Sequence, residues 1–144
     1  MTRIDFYVLD QAEPQGRERF ACRLAEKAYK LGNKVFIHTT DEQQAQAVDD
    51  LLWSFRAGSF VPHSRRPEDA ATAPVMIAAA GEPEQTTDVL INLADEVPLF
   101  FSRFLRVAEV VDGQDEVRRA GRERFKFYRE RGYDLESHPI HSSR

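Results

Sequence analysis

Cysteine is nearly absent from this chain of 144 residues, in which Cys22 is the only one. A single thiol excludes an internal disulfide and is typical of a reducing compartment. Long apolar runs are also missing, since no stretch approaches the roughly 20 residues of a membrane span. The N-terminus has neither the charged nor the apolar region of a signal peptide. We therefore expect a cytoplasmic protein that makes no contact with a membrane.

Phosphate-binding motifs are absent where a nucleotide-binding α/β protein would carry them. The loop at residues 10–16, after the first apolar segment, contains one glycine, Gly16, and two acidic residues, Asp10 and Glu13. It matches neither GxGxxG nor GxxxxGK[ST], and its carboxylates would repel a phosphate. An ordinary connection is the better interpretation, so we predict no nucleotide cofactor and assign the loop no role.

Catalytic and metal-binding patterns are equally scarce. Cys22 lies among apolar residues of a predicted helix and is expected to be a small buried side chain. His38 continues an apolar strand, which favours a hydrogen-bonded core or strand-end histidine. The spacing of Glu136, His138 and His141 could hold a metal, but these residues fall in a segment with little sign of order. The sequence therefore predicts no catalytic residue, cofactor or metal.

The remaining pattern is that of one α/β domain. Hydrophobic residues make up 42% and charged residues 31% of the chain, as in a folded globular protein. Apolar segments predict strands at residues 3–9, 34–39, 75–79, 88–93 and 104–111. Helical spacing predicts helices at residues 16–31, from an N-cap at Thr40 to about Phe55, and at 117–131.

This alternation predicts a three-layer α/β/α fold with a mostly parallel sheet of about five strands. The fold would be Rossmann-like but without a phosphate-binding loop. We expect a single domain over residues 1–136 and a flexible tail over residues 137–144.

Positive charge is concentrated in the last helix. Residues 117–131 hold seven of the twenty Lys and Arg but only two of the 24 Asp and Glu, so this segment carries +5. The rest of the chain, with thirteen basic and twenty-two acidic residues, carries −9. A basic element on an acidic body indicates a surface that binds an anionic partner.

One stripe of this helix combines cations with an aromatic ring. Arg118, Arg122, Phe125 and Arg129 fall within about 60° of one another at 100° per residue, and Tyr128 lies on the adjoining flank. Two ligands fit such a stripe. An acidic peptide with an apolar residue would use bidentate arginine contacts, whereas single-stranded nucleic acid would stack its bases on Phe125.

A second candidate surface lies near the end of the second helix. Leu52 and Trp53 end this helix, and Phe60 and Pro62 follow in a polar loop. These residues are either an exposed apolar patch, which would mark a protein interface, or a cover over the edge of the core.

Five segments, in their order and spacing, resemble the chi subunit of bacterial DNA polymerase III, an accessory protein associated with the clamp loader. They are DFYVLD, GNKVFIHTTDEQQAQAVDDLLW, SFVPH, DVLINLADEVP and GRERFKFYRERGYDL. The resemblance extends over essentially the whole chain. It implies a three-layer α/β fold without catalytic activity.

The resemblance also implies partners in DNA replication. These are the psi subunit, which links chi to the clamp loader, the acidic Phe-terminated tail of single-stranded DNA-binding protein and, in some relatives, a helicase. The tail-binding residues would be Arg118, Arg122, Phe125, Tyr128 and Arg129. The psi-binding residues would be Leu52, Trp53, Phe60 and Pro62. Single-stranded DNA would then be reached only indirectly, and direct binding of it by the same helix is the alternative.

Overall fold

The computed structural model describes residues 1–83 and 88–141. Its helices are α1 (Gly16–Lys30), α2 (Glu42–Ser54) and α3 (Asp115–Glu130). Its strands are β1 (Arg3–Leu9), β2 (Val35–His38), β3 (His63–Ser64), β4 (Val75–Ala78), β5 (Val89–Asn92), β6 (Arg106–Val111) and β7 (Asp134–Ile140). Short 3-10 turns lie at Pro67–Asp69 and Phe101–Arg103.

The strands form one parallel sheet. Their order is β3-β4-β2-β5-β6-β1-β7, so β1 lies between β6 and β7. Every strand pair among the described residues is parallel. The predicted α/β class is confirmed, with seven strands rather than about five.

Helices cover both faces of the sheet because its central strands are apolar on both sides. Successive side chains of a strand point to opposite faces. Val35 and Ile37 of β2 therefore join the core under α1 and α2, whereas Phe36 joins the core under α3. In the same way Ile4 and Phe6 of β1 point toward α3.

The N-cap of α2 is one residue later than predicted. Asp41, not Thr40, caps the helix, and its Oδ1 accepts a hydrogen bond from the Gln44 amide at 2.8 Å. The Gln44 side chain in turn accepts from the Thr40 amide at 2.8 Å. Aspartate is the better cap here because a carboxylate also stabilises the positive end of the helix.

The prediction of a flexible tail from residue 137 is wrong for residues 137–140. These residues belong to β7, which pairs with β1 from Arg3–Asp134 to Leu9–Ile140. The segment DLESHPI has no apolar run because an edge strand is covered on one side only. Residues 142–144 of the predicted tail lie outside the described residues.

A second edge strand was also missed. β3 has two residues and lies within the segment 56–73 that the sequence indicated as a loop. Its pairing with β4 involves His63–Val75 and Ser64–Met76. In the described part of the chain, the helices are too short or too polar to span a bilayer.

Candidate functional site

A cavity of about 280 Å³ lies between α3 and the β6-β1-β7 side of the sheet. We call it the α3 cavity. Its lining is Phe6, Val8, Val111, Arg118, Gly121, Arg122, Phe125 and Ser137. The walls are mainly apolar, and the two guanidinium groups come from successive turns of α3.

The two arginines of the α3 cavity have no carboxylate partner among the residues that the structure describes. Arg118 and Arg122 are exposed, and neither forms an ion pair with a carboxylate in residues 1–83 or 88–141. Arg118 Nε donates to the backbone oxygen of Asp112 at 3.0 Å, which leaves its charge uncompensated. The cavity therefore offers two guanidinium groups to an anionic ligand.

The Phe125 ring is half-buried and contacts the Phe6 ring and the Arg129 guanidinium group. Its centroid lies 5.2 Å from that of Phe6, with the planes tilted by 60°. The Arg129 guanidinium carbon lies 6.0 Å from the Phe125 centroid. The ring is thus fixed by the core while part of it still faces the cavity.

Gly121 brings α3 close to the sheet. A Cβ atom at this position would lie 2.6 Å from Cγ1 of Val111, which is closer than such atoms approach. The glycine therefore sets the spacing between α3 and β6, and with it the depth of the cavity.

We expect Gly121→Ala to lower the free energy of unfolding by about 1–2 kcal/mol. Overpacking a tight contact costs up to about 3 kcal/mol, which outweighs the roughly 1 kcal/mol by which alanine favours a helix. Urea unfolding at constant pH measures the change. Gly16→Ala is the matched control, because its added Cβ would meet only Glu13 Cβ, at 3.6 Å. An equal loss in both variants would contradict the steric explanation.

A buried polar network lies beneath α3. The Glu109 carboxylate accepts hydrogen bonds from Arg124 Nε at 2.7 Å, Tyr128 Oη at 2.7 Å and Asn92 Nδ2 at 3.0 Å. Arg124 is 3% exposed, and Glu109, Tyr128 and Asn92 are fully buried. Burial, together with the nearby Glu109 charge, raises the pKa of Tyr128. The network fixes the orientation of α3 against β6.

Two exposed rings form a second surface on the other side of the sheet. Trp53 is 61% and Phe60 60% exposed, and their centroids lie 5.7 Å apart. The His63 ring lies 4.9 Å from that of Trp53 and supports it edge-on. Pro62 is half-buried beside them. We call Trp53, Phe60 and Pro62 the aromatic patch.

A family model described as DNA polymerase III chi subunit, HolC, matches residues 1–136. The chain belongs to this family. DNA polymerase III subunit chi of Pseudomonas aeruginosa is 49% identical over 140 residues, which cover 97% of this chain and 98% of that protein. The Escherichia coli subunit of the same name is 33% identical over 141 residues, covering 94% and 96%. The chain is thus a chi subunit, an accessory subunit of DNA replication.

The fold of this chi subunit also occurs in a solved structure with little sequence similarity. The crystal structure of T4 UvsW matches with a TM-score of 0.67 at 10% identity, over 97% of this chain. The chain spans only 42% of that protein's length. The likeness therefore concerns the fold alone.

The structure brings together three of the five residues predicted to bind an anionic tail. Arg118, Arg122 and Phe125 line the α3 cavity, and Arg129 lies on its rim beside the Phe125 ring. Tyr128 is a correction. It is fully buried and donates to Glu109, so its side chain is not accessible to a ligand.

The four lining residues of the α3 cavity that lie outside α3 were not predicted from the sequence. Phe6 and Val8 of β1, Val111 of β6 and Ser137 of β7 complete the lining. Strand alternation places Phe6 and Val8 on one face, but it does not tell which helix covers that face. Ser137 was missed because it was predicted to lie in a flexible tail.

Leu52 is a second correction. It was predicted to contact a partner, but it is 1% exposed and packs in the core under α1 and α2. Trp53 and Phe60 are exposed, and Pro62 lies beside them. The adjacent positions 52 and 53 differ because α2 turns by about 100° per residue.

Neither the Cys22 thiol, considered as a nucleophile, nor the carboxylate–histidine cluster, considered as a metal site, is well suited to that role. Burial raises the pKa of the Cys22 thiol to about 12, so this thiol is a poor nucleophile at neutral pH. Of the residues weighed as metal ligands, Glu136 and His138 converge within 4.8 Å with Asp5, which was not among them. His141 Nδ1 instead lies 3.4 Å from Asp10 Oδ2. Arg106 Nη2 contacts Asp5 at 3.0 Å and Arg3 Nη2 contacts Glu136 at 2.6 Å, which compensates both carboxylates.

The hydrogen bonds of Asp5 favour its charged form. Burial alone would raise its pKa, but hydrogen bonds with His138 and Arg106 and the charge of Arg3 outweigh burial and lower the pKa. The His138 Nε2 atom lies 2.9 Å from Asp5 Oδ1. This contact ties β7 to β1, so the group has a structural role.

Proposed function

We propose that the chain is a noncatalytic adaptor with two docking surfaces. The α3 cavity would bind the acidic, Phe-terminated tail of single-stranded DNA-binding protein. The aromatic patch would bind the psi subunit and, through it, the clamp loader. One observation carries this proposal: two guanidinium groups, with no ion pair in the described part of the chain, flank an apolar cavity beside a fixed phenylalanine ring.

The chemistry of the α3 cavity suits a peptide terminus. A terminal carboxylate takes bidentate hydrogen bonds from guanidinium groups, and such charge-assisted bonds are about twice as strong as neutral ones. The cavity of about 280 Å³ has room for one aromatic side chain between Phe125, Val111 and Val8. The negative charge of the remaining chain would disfavour a long nucleic acid, whose binding depends on many phosphate contacts.

The two surfaces are placed so that one partner does not obstruct the other. The aromatic patch lies beside β3, at one edge of the sheet, and the α3 cavity lies beside β7, at the opposite edge. They also lie on opposite faces, since α2 and α3 cover different sides. This separation supports an adaptor that holds two partners at once.

We expect Arg122→Ala to weaken binding of an acidic, Phe-terminated peptide by about 1.5–3 kcal/mol, the range for hydrogen bonds to charged groups. Calorimetric titration at low salt measures the change. Arg119→Ala is the matched control, because Arg119 lies on the same helix, pairs with Glu116 at 2.9 Å and does not line the cavity. It removes the same charge and should leave the affinity within about twofold.

The same titration distinguishes the alternative, direct binding of single-stranded nucleic acid. That function predicts tight binding of a naked oligonucleotide with a steep salt dependence and without any protein tail. Unchanged peptide affinity in Arg122→Ala, or an oligonucleotide that binds more tightly than the peptide, would refute the proposed tail-binding function.

A further inference from the structure

A larger cleft lies at the carboxyl ends of β2, β4 and β5, away from the α3 cavity and the aromatic patch. Its volume is about 540 Å³. We call it the carboxyl-end cleft. Its lining comprises His38, Thr39 and Thr40 after β2, Ala79, Gly81 and Glu82 after β4, and residues 94–100 after β5. The carboxyl ends of parallel strands are where α/β proteins commonly bind ligands.

The charge of this cleft is opposite to that of the α3 cavity. Glu82, Asp95 and Glu96 line it, and its described lining includes no lysine or arginine. Glu82 is paired with Arg103 at 2.6 Å, but Asp95 and Glu96 are exposed and form no ion pair within the described ranges. Two carboxylates without a direct ion pair in the described residues therefore line the cleft, although the Arg119 guanidinium is near enough to interact with the charge of Asp95.

The backbone that carries Asp95 and Glu96 is fixed by two hydrogen bonds. Arg124 Nη1 donates to the Asp95 backbone oxygen at 2.9 Å, and Asn92 Nδ2 donates to that of Glu96 at 3.2 Å. Both donors belong to the buried network around Glu109. The backbone of the loop is thus fixed by the buried network, which reduces the entropy lost when a ligand binds to it.

Apolar and hydrogen-bonding groups complete the cleft. Leu99 is 100% exposed on the rim, beside the buried Phe100. His38 Nδ1 is enclosed but has no hydrogen-bond partner in residues 1–83 and 88–141. Burial lowers the pKa of His38, so this side chain is neutral at physiological pH and does not offset the carboxylates.

We infer that the carboxyl-end cleft docks a basic protein segment that carries an aliphatic or aromatic side chain between its cationic residues. Charge complementarity selects the cations, and Leu99 with the cleft wall receives the apolar side chain. Nucleic acid is disfavoured by the carboxylates. A metal ion is disfavoured because, in the part of the chain that the structure describes, three potential ligands converge at Asp5, Glu136 and His138 and not here. This inference does not depend on the function proposed above.

The test uses the full chain and a blocked peptide of sequence Lys-Arg-Leu-Leu-Lys-Arg, titrated by calorimetry at low salt. The double variant Asp95→Asn, Glu96→Gln should bind it on the order of tenfold more weakly, because two rim charges are removed. Leu99→Ser should bind it about fivefold more weakly, because one leucine contact is lost. The control double variant Glu13→Gln, Asp134→Asn removes two exposed carboxylates elsewhere and should stay within about twofold.

Amide chemical shifts give a second measurement that does not depend on any variant. Peptide-induced shifts should fall on residues 38–40 and 94–100. Equal weakening in the control variant, equally tight binding of hexalysine or spermine, or shifts spread over the whole acidic surface would overturn the inference. So would the absence of binding.

Discussion

Glu109→Ala should lower the free energy of unfolding by about 3–5 kcal/mol, the usual cost of removing one partner of a buried ion pair. The Arg124 guanidinium, 3% exposed, would stay buried without its counter-charge. Tyr128 Oη and Asn92 Nδ2 would also lose the carboxylate that accepts their hydrogen bonds at 2.7 and 3.0 Å. Urea unfolding followed by circular dichroism measures the change, as a lower midpoint at an unchanged slope.

Two variants test this explanation for Glu109. Glu116→Ala removes a carboxylate from an exposed ion pair in the first turn of α3 and should lower the free energy of unfolding by no more than about 1 kcal/mol. The double variant Glu109→Leu, Arg124→Met removes both buried charges together and should recover much of the stability, because no unpaired charge remains. A loss below about 1 kcal/mol in Glu109→Ala would show that the network contributes little.

If the aromatic patch binds psi as proposed, Trp53→Ala should weaken that binding by at least about 2 kcal/mol, or roughly thirtyfold, as for a central aromatic residue of an interface. The side chain is 61% exposed and packs on the rings of Phe60 and His63, so its removal should leave the fold intact. Co-purification with tagged psi and a titration with the acidic peptide should be measured on the same preparation. Co-purification with psi should fail, and the affinity for the acidic peptide should be unchanged.

Leu31→Ala is the matched control for Trp53→Ala, because Leu31 is also apolar and 73% exposed but lies at the end of α1. It should leave both partners bound. If Trp53→Ala reduces both binding activities together, the residue supports the fold and the aromatic patch is not an interface.

The fold was predictable where the hydrophobic pattern of a segment matches the burial of its side chains in the structure. β1 begins and ends at the predicted residues because apolar side chains of both its faces pack on a core. Ile4 and Phe6 lie in the core under α3, and the partly buried Tyr7 and Leu9 pack against the core under α1 and α2. β7 was not predictable, since its residues are mostly polar and its order comes from pairing with β1. When a strand is stabilised mainly by pairing with a strand far away in sequence, its own residues carry only a weak strand signal.

The same limit applies to the α3 cavity. Helical periodicity brought Arg118, Arg122 and Phe125 together correctly, because that relation is local. It could not indicate that Tyr128 and Arg124 face inward, because their partner Glu109 belongs to β6. Counting charges along the helix therefore overstated the cationic surface by one buried arginine.

The position of β7 has a consequence for the newly synthesised chain. The α3 cavity takes Phe6 and Val8 from the first strand and Ser137 from the last. Contacts between the two ends of a chain form late, because the intervening loop must close first. A nascent polypeptide in which residue 137 has not yet been added therefore lacks one wall of the cavity, and the proposed binding site is unfinished until β7 has paired with β1.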